Sequence, residues 1–545
     1  MQAMTLIATP IFVGSRAEVS VSLERAREAA GSGANMIEWR VDGLAEDPDG
    51  AQALIELVAG SPLPCIVTCR PTWEGGRYGG DEAQRISLFE ALASSAHQAK
   101  YLDIELAAWE RSANFRQKAQ LAIDHPRQVR AIETGLILST HDFEKRPRDL
   151  LQRIERMVNV SASVVIKVAW MARSLRDNLE AFDLLRERRK PMIALCMGRF
   201  GLMSRVLAPK FGGMITFASE TAGGESAPGQ PTITELRKRY RFDSIRRRTK
   251  VYGVIGWPVE QSRGPEVHNA GFEAAGHDGV YLPMPIPPEY EHFKATVGAM
   301  IDHRRLDFRG ASVTLPHKEN LLRFVLECGG RTDGMSERIG AANTLMVGSA
   351  GATACSNTDC PAIVDSLCTA MSIDAKDLAE LRIAVLGAGG VARAAIGALT
   401  ELGAPVVVFN RTKYKAQALA EEFNRRGSRN GDWGEVHAGR AEQLRDGFHV
   451  IINCTPVGMA GGSDPDGSPL EALGQSDALM DDRVTVFDTV YEPARTRLIE
   501  EAAARGARVV MGVEMFINQA ARQFALWTGK AAPVEVFREM LNERG

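Results

Sequence analysis

Residues 381–399 read LRIAVLGAGGVARAAIGAL. A short apolar run is followed by Gly387, Gly389 and Ala392 at G-x-G-x-x-A spacing, and then by a helix-like segment. Glycines there permit a tight turn and let the backbone approach the pyrophosphate of a dinucleotide at the helix N-terminus. A plain strand–turn–helix would carry the same letters, so the next strand decides. PVVVFNRTK (405–413) ends about 20 residues on, where an NAD-binding chain shows an acidic residue for the ribose 2′-hydroxyl. Asn410, Arg411, Thr412 and Lys413 stand there instead. Two cations and two hydrogen-bonding side chains suit a 2′-phosphate, which favours NADP over NAD.

Outward from this motif the strands HVIINCTP (449–456) and VTVFDTVY (484–491) continue the βαβ series. Before it, KVYGVIGWPV (250–259), GVYLPMPI (279–286) and FRGASVTLP (308–316) read as strands of a smaller α/β unit. The tail from Glu514 reads as helix. The first part of the chain differs. LIATPIFV, NMIEWRVD, PCIVTCR, KYLDIEL, GLILSTHD, SVVIKVAW, PMIALCMG and MITFAS are short apolar runs with helix-like segments between most of them. Strands alternating with helices over this length predict a (β/α)8 barrel, since no glycine-rich loop follows the first run to suggest an open sheet. The expected division is a barrel over 1–240, a basic linker over 241–250, a substrate-binding unit from 251–358 and 515–545, and a Rossmann-type NADP-binding unit over 359–514.

Composition narrows the function classes. With 65 basic against 68 acidic residues in 545, the net charge of −3 gives no footprint for nucleic acid. The one basic run, RKRYRFDSIRRRTK (237–250), reads as a DNA- or membrane-binding arm or as a solvated linker, and its composition favours the linker. No apolar run reaches the ~18 residues of a membrane span, and no basic region precedes the N-terminal apolar stretch as in a secretory signal. The eight cysteines show no C-x-x-C spacing; they read as free thiols of a cytoplasmic protein with no metal site and no obligate protein partner.

Charged side chains cluster at the C-terminal ends of the barrel runs, where barrel enzymes keep their sites. They are Glu38, Arg40, Arg70, Glu74, His141 and Lys167. A lysine within an apolar strand is short of hydration, which favours the neutral amine that attacks ketones to form Schiff bases. A snorkelling or paired structural lysine is the competing reading. His141 is a candidate proton shuttle, and Glu74 a group to orient it.

These residues lie in EWRVD (38–42), TCRPTWEGG (68–76), STHDF (139–143) and IKVAW (166–170); with GLMSR (201–205) and SAPGQP (226–231), they make the first half resemble type I 3-dehydroquinate dehydratase over its whole length. The resemblance implies that Lys167 forms an imine with the C3 ketone of 3-dehydroquinate. His141 then removes the C2 proton and protonates the departing C1 hydroxyl, with Glu74 holding the imidazole. Arg205 pairs with the substrate carboxylate, while Glu38, Arg40, Arg70, Ser226 and Gln230 hold hydroxyls and charge. The loop GGESAPGQP (223–231) reads as a mobile lid.

From about Lys250 onward the chain is similar to shikimate dehydrogenase. The similarity rests on YGVIG (252–256), the S-x-x-P-x-x-H-N pattern of 262–269, SVTLPHKEN (312–320), GAANTL (340–345), SNTDC (356–360) and GAGGVAR (387–393), and further on NRT (410–412), NCTPVGM (453–459), VYEPARTRL (490–498) and MGVEMFINQAARQF (511–524). It implies a catalytic pair, Lys318 and Asp359, serving hydride transfer between nicotinamide and the substrate C3. Ser262, Gly264, Thr314, Asn343, Tyr491 and Gln519 line the substrate pocket. Gly387, Ala388, Gly389, Gly390, Val391, Asn410, Arg411, Thr412, Lys413 and Thr455 form the cofactor site. The tail carrying Gln519 is expected to pack back on the small unit.

The two resemblances together imply a fused enzyme whose first product, 3-dehydroshikimate, is its second substrate, reduced to shikimate. Three departures stand out. The family usually has a serine where Gly264 stands, an asparagine where Ser312 stands, and a glycine after N-T-D, where Cys360 and Pro361 follow. Gly264 removes a hydroxyl from the carboxylate pocket and is expected to leave space beside C1, so quinate is an alternative substrate. A regulator that senses these metabolites without turning them over is the rival from another class.

Overall fold

Apolar runs buried on both faces suit a parallel sheet covered on both sides. In the computed structural model, which describes residues 4–124, 132–430, 433–475 and 480–542, all eight runs of the first half are strands. They are β1 (Leu6–Phe12), β2 (Met36–Arg40), β3 (Cys65–Thr68), β4 (Tyr101–Glu105), β5 (Gly135–Asp142), β6 (Ser163–Met171), β7 (Met192–Met197) and β8 (Ile215–Phe217). They pair in parallel in the order β7-β6-β5-β4-β3-β2-β1-β8. The Met214 amide donates to the Met192 carbonyl at 2.9 Å across the seam from β8 to β7.

Side chains two apart on a strand share a face, and this sets the vertical order inside the barrel. Ala8, Met36, Ile66, Tyr101, Ile137, Val165, Ile193 and Ile215, one from each strand, form a buried apolar layer. Two residues further along come Glu38, Thr68, Asp103, Ser139 and Lys167, and two further again Arg40, Arg70, Glu105 and His141. The barrel therefore stands on a hydrocarbon plug with a charged layer above it.

The stretch expected to be a solvated linker, 241–250, is packed instead. Phe242 and Ile245 are buried, as are Leu236 and Tyr240 just before them. The Lys210 ammonium donates to the Arg247 and Thr249 carbonyls at 3.0 and 2.8 Å. The chain divides into two compact units between Thr249 and Lys250. The reason is visible in the letters: apolar residues are spaced among the arginines, and they dock while Arg246, Arg247 and Arg248 stay exposed.

The second unit holds two six-stranded sheets. The first comprises β9 (Lys250–Gly256), β10 (Gly279–Pro285), β11 (Phe308–Val313), β12 (Arg331–Thr332), β13 (Thr344–Val347) and β14 (Thr353–Ser356), in the order β10-β9-β11-β13-β14-β12. The second comprises β15 (Ile383–Leu386), β16 (Val406–Phe409), β17 (Val436–Ala438), β18 (Val450–Asn453), β19 (Thr485–Asp488) and β20 (Arg508–Val510). Its order, β17-β16-β15-β18-β19-β20, is all parallel and reverses direction at β15. That is the doubly wound arrangement whose switch point binds dinucleotides. The hairpin β13–β14, β12 and the edge strands β17 and β20 are only two to four residues long, too short to stand out in the sequence.

The tail is two helices, Gly512–Thr528 and Val534–Asn542, separated at Gly529, whose φ of 68° ends the first. Phe516, Ile517, Ala520, Phe524, Phe537 and Leu541 from these helices share a core with Tyr252, Val254, Phe272 and Tyr281. The tail thus packs on the small sheet, as expected; residues 543–545 lie outside the described residues. Phe537 is fully buried, so Phe537→Ala is expected to destabilise the second unit by about 3–5 kcal/mol. Denaturant unfolding of the full chain measures this, and a loss below about 1 kcal/mol would contradict the packing role.

Candidate active sites

Every barrel residue singled out by the motifs lines one cavity. Glu38, Arg40, Arg70, Glu74, His141, Lys167, Arg205, Ser226 and Gln230 all face it, with Leu195, Met197 and Phe217 as its apolar wall. Lys167 is 5% exposed. It does not sit in the purely apolar surroundings expected from its strand. Its Nζ lies 2.8 Å from Asp103 Oδ2, 3.4 Å from Glu38 Oε1 and 4.4 Å from the centre of the Phe217 ring. Asp103 is fully buried. Burial opposes its ionisation, but Arg70 and Lys167 outweigh this and hold its carboxyl well below the usual range. Asp103 Oδ1 also meets Arg70 Nη2 at 2.8 Å and accepts from Ser139 Oγ at 2.6 Å. Glu105 bridges Arg70 and Arg85 at 2.6 and 2.5 Å. Asp103 and Glu105 are not among the residues the motifs single out. Their signal was present in YLDIE, two acids on one face of an apolar strand.

His141 Nδ1 lies 2.9 Å from Glu74 Oε2, and the His141 amide donates to the same oxygen at 3.2 Å. Burial, with Arg70 and Lys167 nearby, pushes the imidazole well below its ordinary value and keeps it neutral. Burial also pushes the Glu74 carboxyl up to about 8, against the pull of Arg70. Arg205 is 2% exposed, has no carboxylate within ion-pair distance among the described residues, and leaves Nε without a partner. Burial lowers its ordinary value to about 10. Arg40, by contrast, is paired with Asp42 at 2.8 Å. In the last loop Ser226 Oγ donates to Gln230 Oε1 at 3.0 Å, and Gln230 Nε2 is buried without a partner. The Gly198 amide ties this loop to β7 through the Pro228 carbonyl at 2.8 Å.

The second site lies within the second unit. Lys318 and Asp359 each begin a helix, Lys318–Glu327 and Asp359–Met371, and both are buried. Lys318 Nζ donates to Asp359 Oδ2 at 2.6 Å. Asn343 Oδ1 accepts from the Thr358 amide and the Thr344 hydroxyl, each at 2.8 Å, and Asn343 Nδ2 donates to Gln519 Oε1 at 3.4 Å. Ser262 is in hydrogen-bond contact with Tyr491, whose hydroxyl burial pushes up to about 12. The Thr314 amide donates to Ile255 on β9 at 2.9 Å, which fixes the loop after β11. The space expected beside Gly264 is filled. A Cβ there would stand 3.0 Å from Tyr281 Cε1 and 3.2 Å from Ser262 Oγ. Tyr281, Ser312 and Gln523, none of them expected in the pocket, form a hydrogen-bonded string behind this wall.

At the switch point Gly387 has φ 111°, and a Cβ there would meet the Cys454 carbonyl at 3.0 Å. Gly389 is open on its side-chain face, and Gly390 begins the helix Gly390–Glu401 with Ala388 and Val391 on either side of the turn. A Cβ on Gly390 would lie 3.1 Å from Lys318 Cδ, so the glycine turn abuts the substrate pocket. At the end of β16, Asn410 Nδ2 donates to the Thr412 carbonyl at 3.0 Å. Arg411 and Lys413 are exposed beside it with no anionic partner among the described residues. Thr455, after β18, donates to Asn453 Oδ1 at 2.7 Å. An open glycine turn and unpaired cations fit a phosphorylated dinucleotide. Among the described residues no group of His, Cys, Asp and Glu is placed to hold a metal ion, and no helix is long and apolar enough to cross a membrane.

Comparison with known proteins divides the chain in the same way. The type I 3-dehydroquinase model matches residues 7–247, and the shikimate dehydrogenase substrate binding domain matches 254–345. The shikimate / quinate 5-dehydrogenase model matches 369–438, and the shikimate 5'-dehydrogenase C-terminal domain 512–541. The chloroplastic bifunctional 3-dehydroquinate dehydratase/shikimate dehydrogenase of Arabidopsis thaliana is 34% identical over 99% of this chain and 84% of its own length. The NADP(+) shikimate dehydrogenase of Methanosarcina mazei is 36% identical over 54% of this chain and 98% of its own. The solved dehydroquinate dehydratase and shikimate dehydrogenase from S. pombe AroM aligns over 100% of this chain and 99% of that one, at 25% identity and a TM-score of 0.43. The chain belongs to the family of bifunctional 3-dehydroquinate dehydratase/shikimate dehydrogenases.

Proposed function

We propose that the chain dehydrates 3-dehydroquinate at the barrel site and reduces the resulting 3-dehydroshikimate to shikimate, with NADPH, at the second. The observation that carries the first half is Arg205, a buried guanidinium without a counter-ion in the cavity that also holds Lys167. A cation left unpaired in a dry site is costly unless a ligand supplies the anion. The substrate carboxylate is that anion, bound as a bidentate fork.

With the carboxylate on Arg205, the ketone faces Lys167. The amine adds to C3 and water leaves, giving an imine that acidifies the C2 proton. Asp103 and Glu38 lie within hydrogen-bond reach of Lys167 Nζ and aim it, and they stabilise the cationic iminium that follows. Neutral His141 takes the C2 proton and returns it to the C1 hydroxyl, which leaves as water; hydrolysis of the imine frees Lys167. Glu74 holds the imidazole through Nδ1. Glu38, Arg40, Arg70, Ser226 and Gln230 bind the remaining hydroxyls, the last through its unpartnered amide.

At the second site NADPH supplies the hydride, and this chain's residues bind, orient and move the proton. Lys318 protonates the C3 oxygen as the alcohol forms, and Asp359 positions its ammonium. Asn343, Gln519 and Thr314 bind ring hydroxyls, while Ser262 and Tyr491 donate to the carboxylate. Gly387, Ala388, Gly389, Gly390 and Val391 would make room for the pyrophosphate, Asn410, Arg411, Thr412 and Lys413 would hold the 2′-phosphate, and Thr455 would complete the cofactor site. Each site is built within one unit of this chain, so no protein, nucleic-acid or membrane partner is invoked. The cysteines, all free where described, suit a reducing compartment such as the cytoplasm.

Borohydride added with 3-dehydroquinate is expected to leave a reduced adduct on Lys167, seen by peptide mass, and absent in Lys167→Ala. A chain that binds the substrate but gives no adduct would be a sensor instead. Glu74, raised to about 8, keeps an extra proton on the His141 pair below that pH. Dehydratase kcat/KM should therefore rise as pH passes through about 8 and become flat in Glu74→Gln; an unchanged profile in that variant would remove Glu74 from the pair. Replacing Arg411 and Lys413 together by alanine should raise the KM for NADP roughly tenfold relative to that for NAD. An equal change for both nucleotides would argue against 2′-phosphate binding.

A further inference from the structure

Gly264 begins the helix Gly264–Ala274, and its amide donates to Ser262 Oγ at 3.2 Å. The point where a side chain on Gly264 would begin lies 3.2 Å from Ser262 Oγ and 3.3 Å from Tyr281 Oη. The phenol oxygen therefore borders the pocket wall where the family carries a second serine hydroxyl.

A string of groups fixes which way its proton points. The Asn343 main-chain carbonyl can only accept, and Gln523 Nε2 faces it at 3.4 Å and the Thr344 hydroxyl at 3.1 Å. The other end of that amide, Oε1, then has to accept, and Ser312 Oγ donates to it at 2.7 Å. The His268 ring, pushed down to about 3 by burial and so neutral, is also in hydrogen-bond contact with Gln523. Having spent its proton, Ser312 Oγ accepts from Tyr281 Oη at 2.6 Å. Tyr281 is thus left with lone pairs and no proton to offer the pocket.

We propose that Tyr281 is a specificity-determining residue of the second site, whose phenol oxygen receives a hydroxyl borne on the same ring carbon as the substrate carboxylate. This rests on the reading of that site given above. A serine at 264 would offer a donor to a carboxylate oxygen. Tyr281 offers an acceptor, which repels a carboxylate oxygen and takes a hydroxyl hydrogen. Quinate carries such a C1 hydroxyl and shikimate does not. The case for quinate therefore lies in the polarity of this wall and not in a vacant space at Gly264, because Tyr281 fills that space.

The test uses the full chain, NADP+, and quinate and shikimate as alternative substrates. Tyr281→Phe keeps the ring and removes the oxygen; Ser312→Ala removes the acceptor of the phenol proton and lets Tyr281 donate into the pocket. The wild-type chain is expected to oxidise quinate, and both variants to lower the quinate-to-shikimate ratio of kcat/KM by about tenfold. Wild-type oxidation of shikimate with no quinate turnover at saturation, or a ratio unmoved in both variants, overturns the inference and leaves the shikimate reading standing. A fall on shikimate alone in Tyr281→Phe also overturns it, since the phenol would then be a carboxylate donor. Failure of the wild type on both acids would instead defeat the reading of the site.

Discussion

The barrel depends on pairing an amine that must be buried. Lys167 projects from β6 into a layer from which water is largely excluded, and Asp103 and Glu38 face it from β4 and β2. Asp103 is itself neutralised by Arg70, and Arg70 by Glu105, which in turn holds Arg85. Removing one partner from such a chain leaves a stranded charge, at a cost of about 3–5 kcal/mol. The network thus links β2, β4 and β6 through their side chains and sets the direction of the amine. The same logic explains Arg205, the cation the network leaves out. On the proposed function, its partner is the substrate carboxylate.

In the second unit a different constraint prevails. A main-chain carbonyl at Asn343 sets the orientation of the Gln523 amide, and through Ser312 it sets that of the Tyr281 hydroxyl. Donor and acceptor roles at the pocket wall are therefore decided by backbone several residues away. Close by, Lys318 lies against Gly390 of the glycine turn, so on the proposed function the proton donor and the dinucleotide adjoin each other.

Much of this was legible in the sequence because inward residues on parallel strands recur every second position. EWR and VVIKVAW announce both their burial and their charge, and the glycine turn before Val391 announces a helix end facing phosphate. What was not legible depends on partners far apart in the chain. Lys167 was expected among apolar neighbours, but Asp103 lies 64 positions away, and only barrel closure brings the two together. Gly264 suggested a vacancy, because a missing side chain says nothing of which neighbour fills its place. Tyr281 does so from the next strand. The arginine-rich run 237–250 suggested a solvated linker, because charge is conspicuous and Tyr240, Phe242 and Ile245 among the arginines are not.

One chain performing two consecutive steps makes a demand that neither site meets alone. Supplied with 3-dehydroquinate and NADPH only, the purified chain should oxidise one NADPH for each dehydroquinate consumed and accumulate shikimate as the end product. Consumption of dehydroquinate without NADPH oxidation, or NADPH oxidation only when 3-dehydroshikimate is added from outside, would contradict the account.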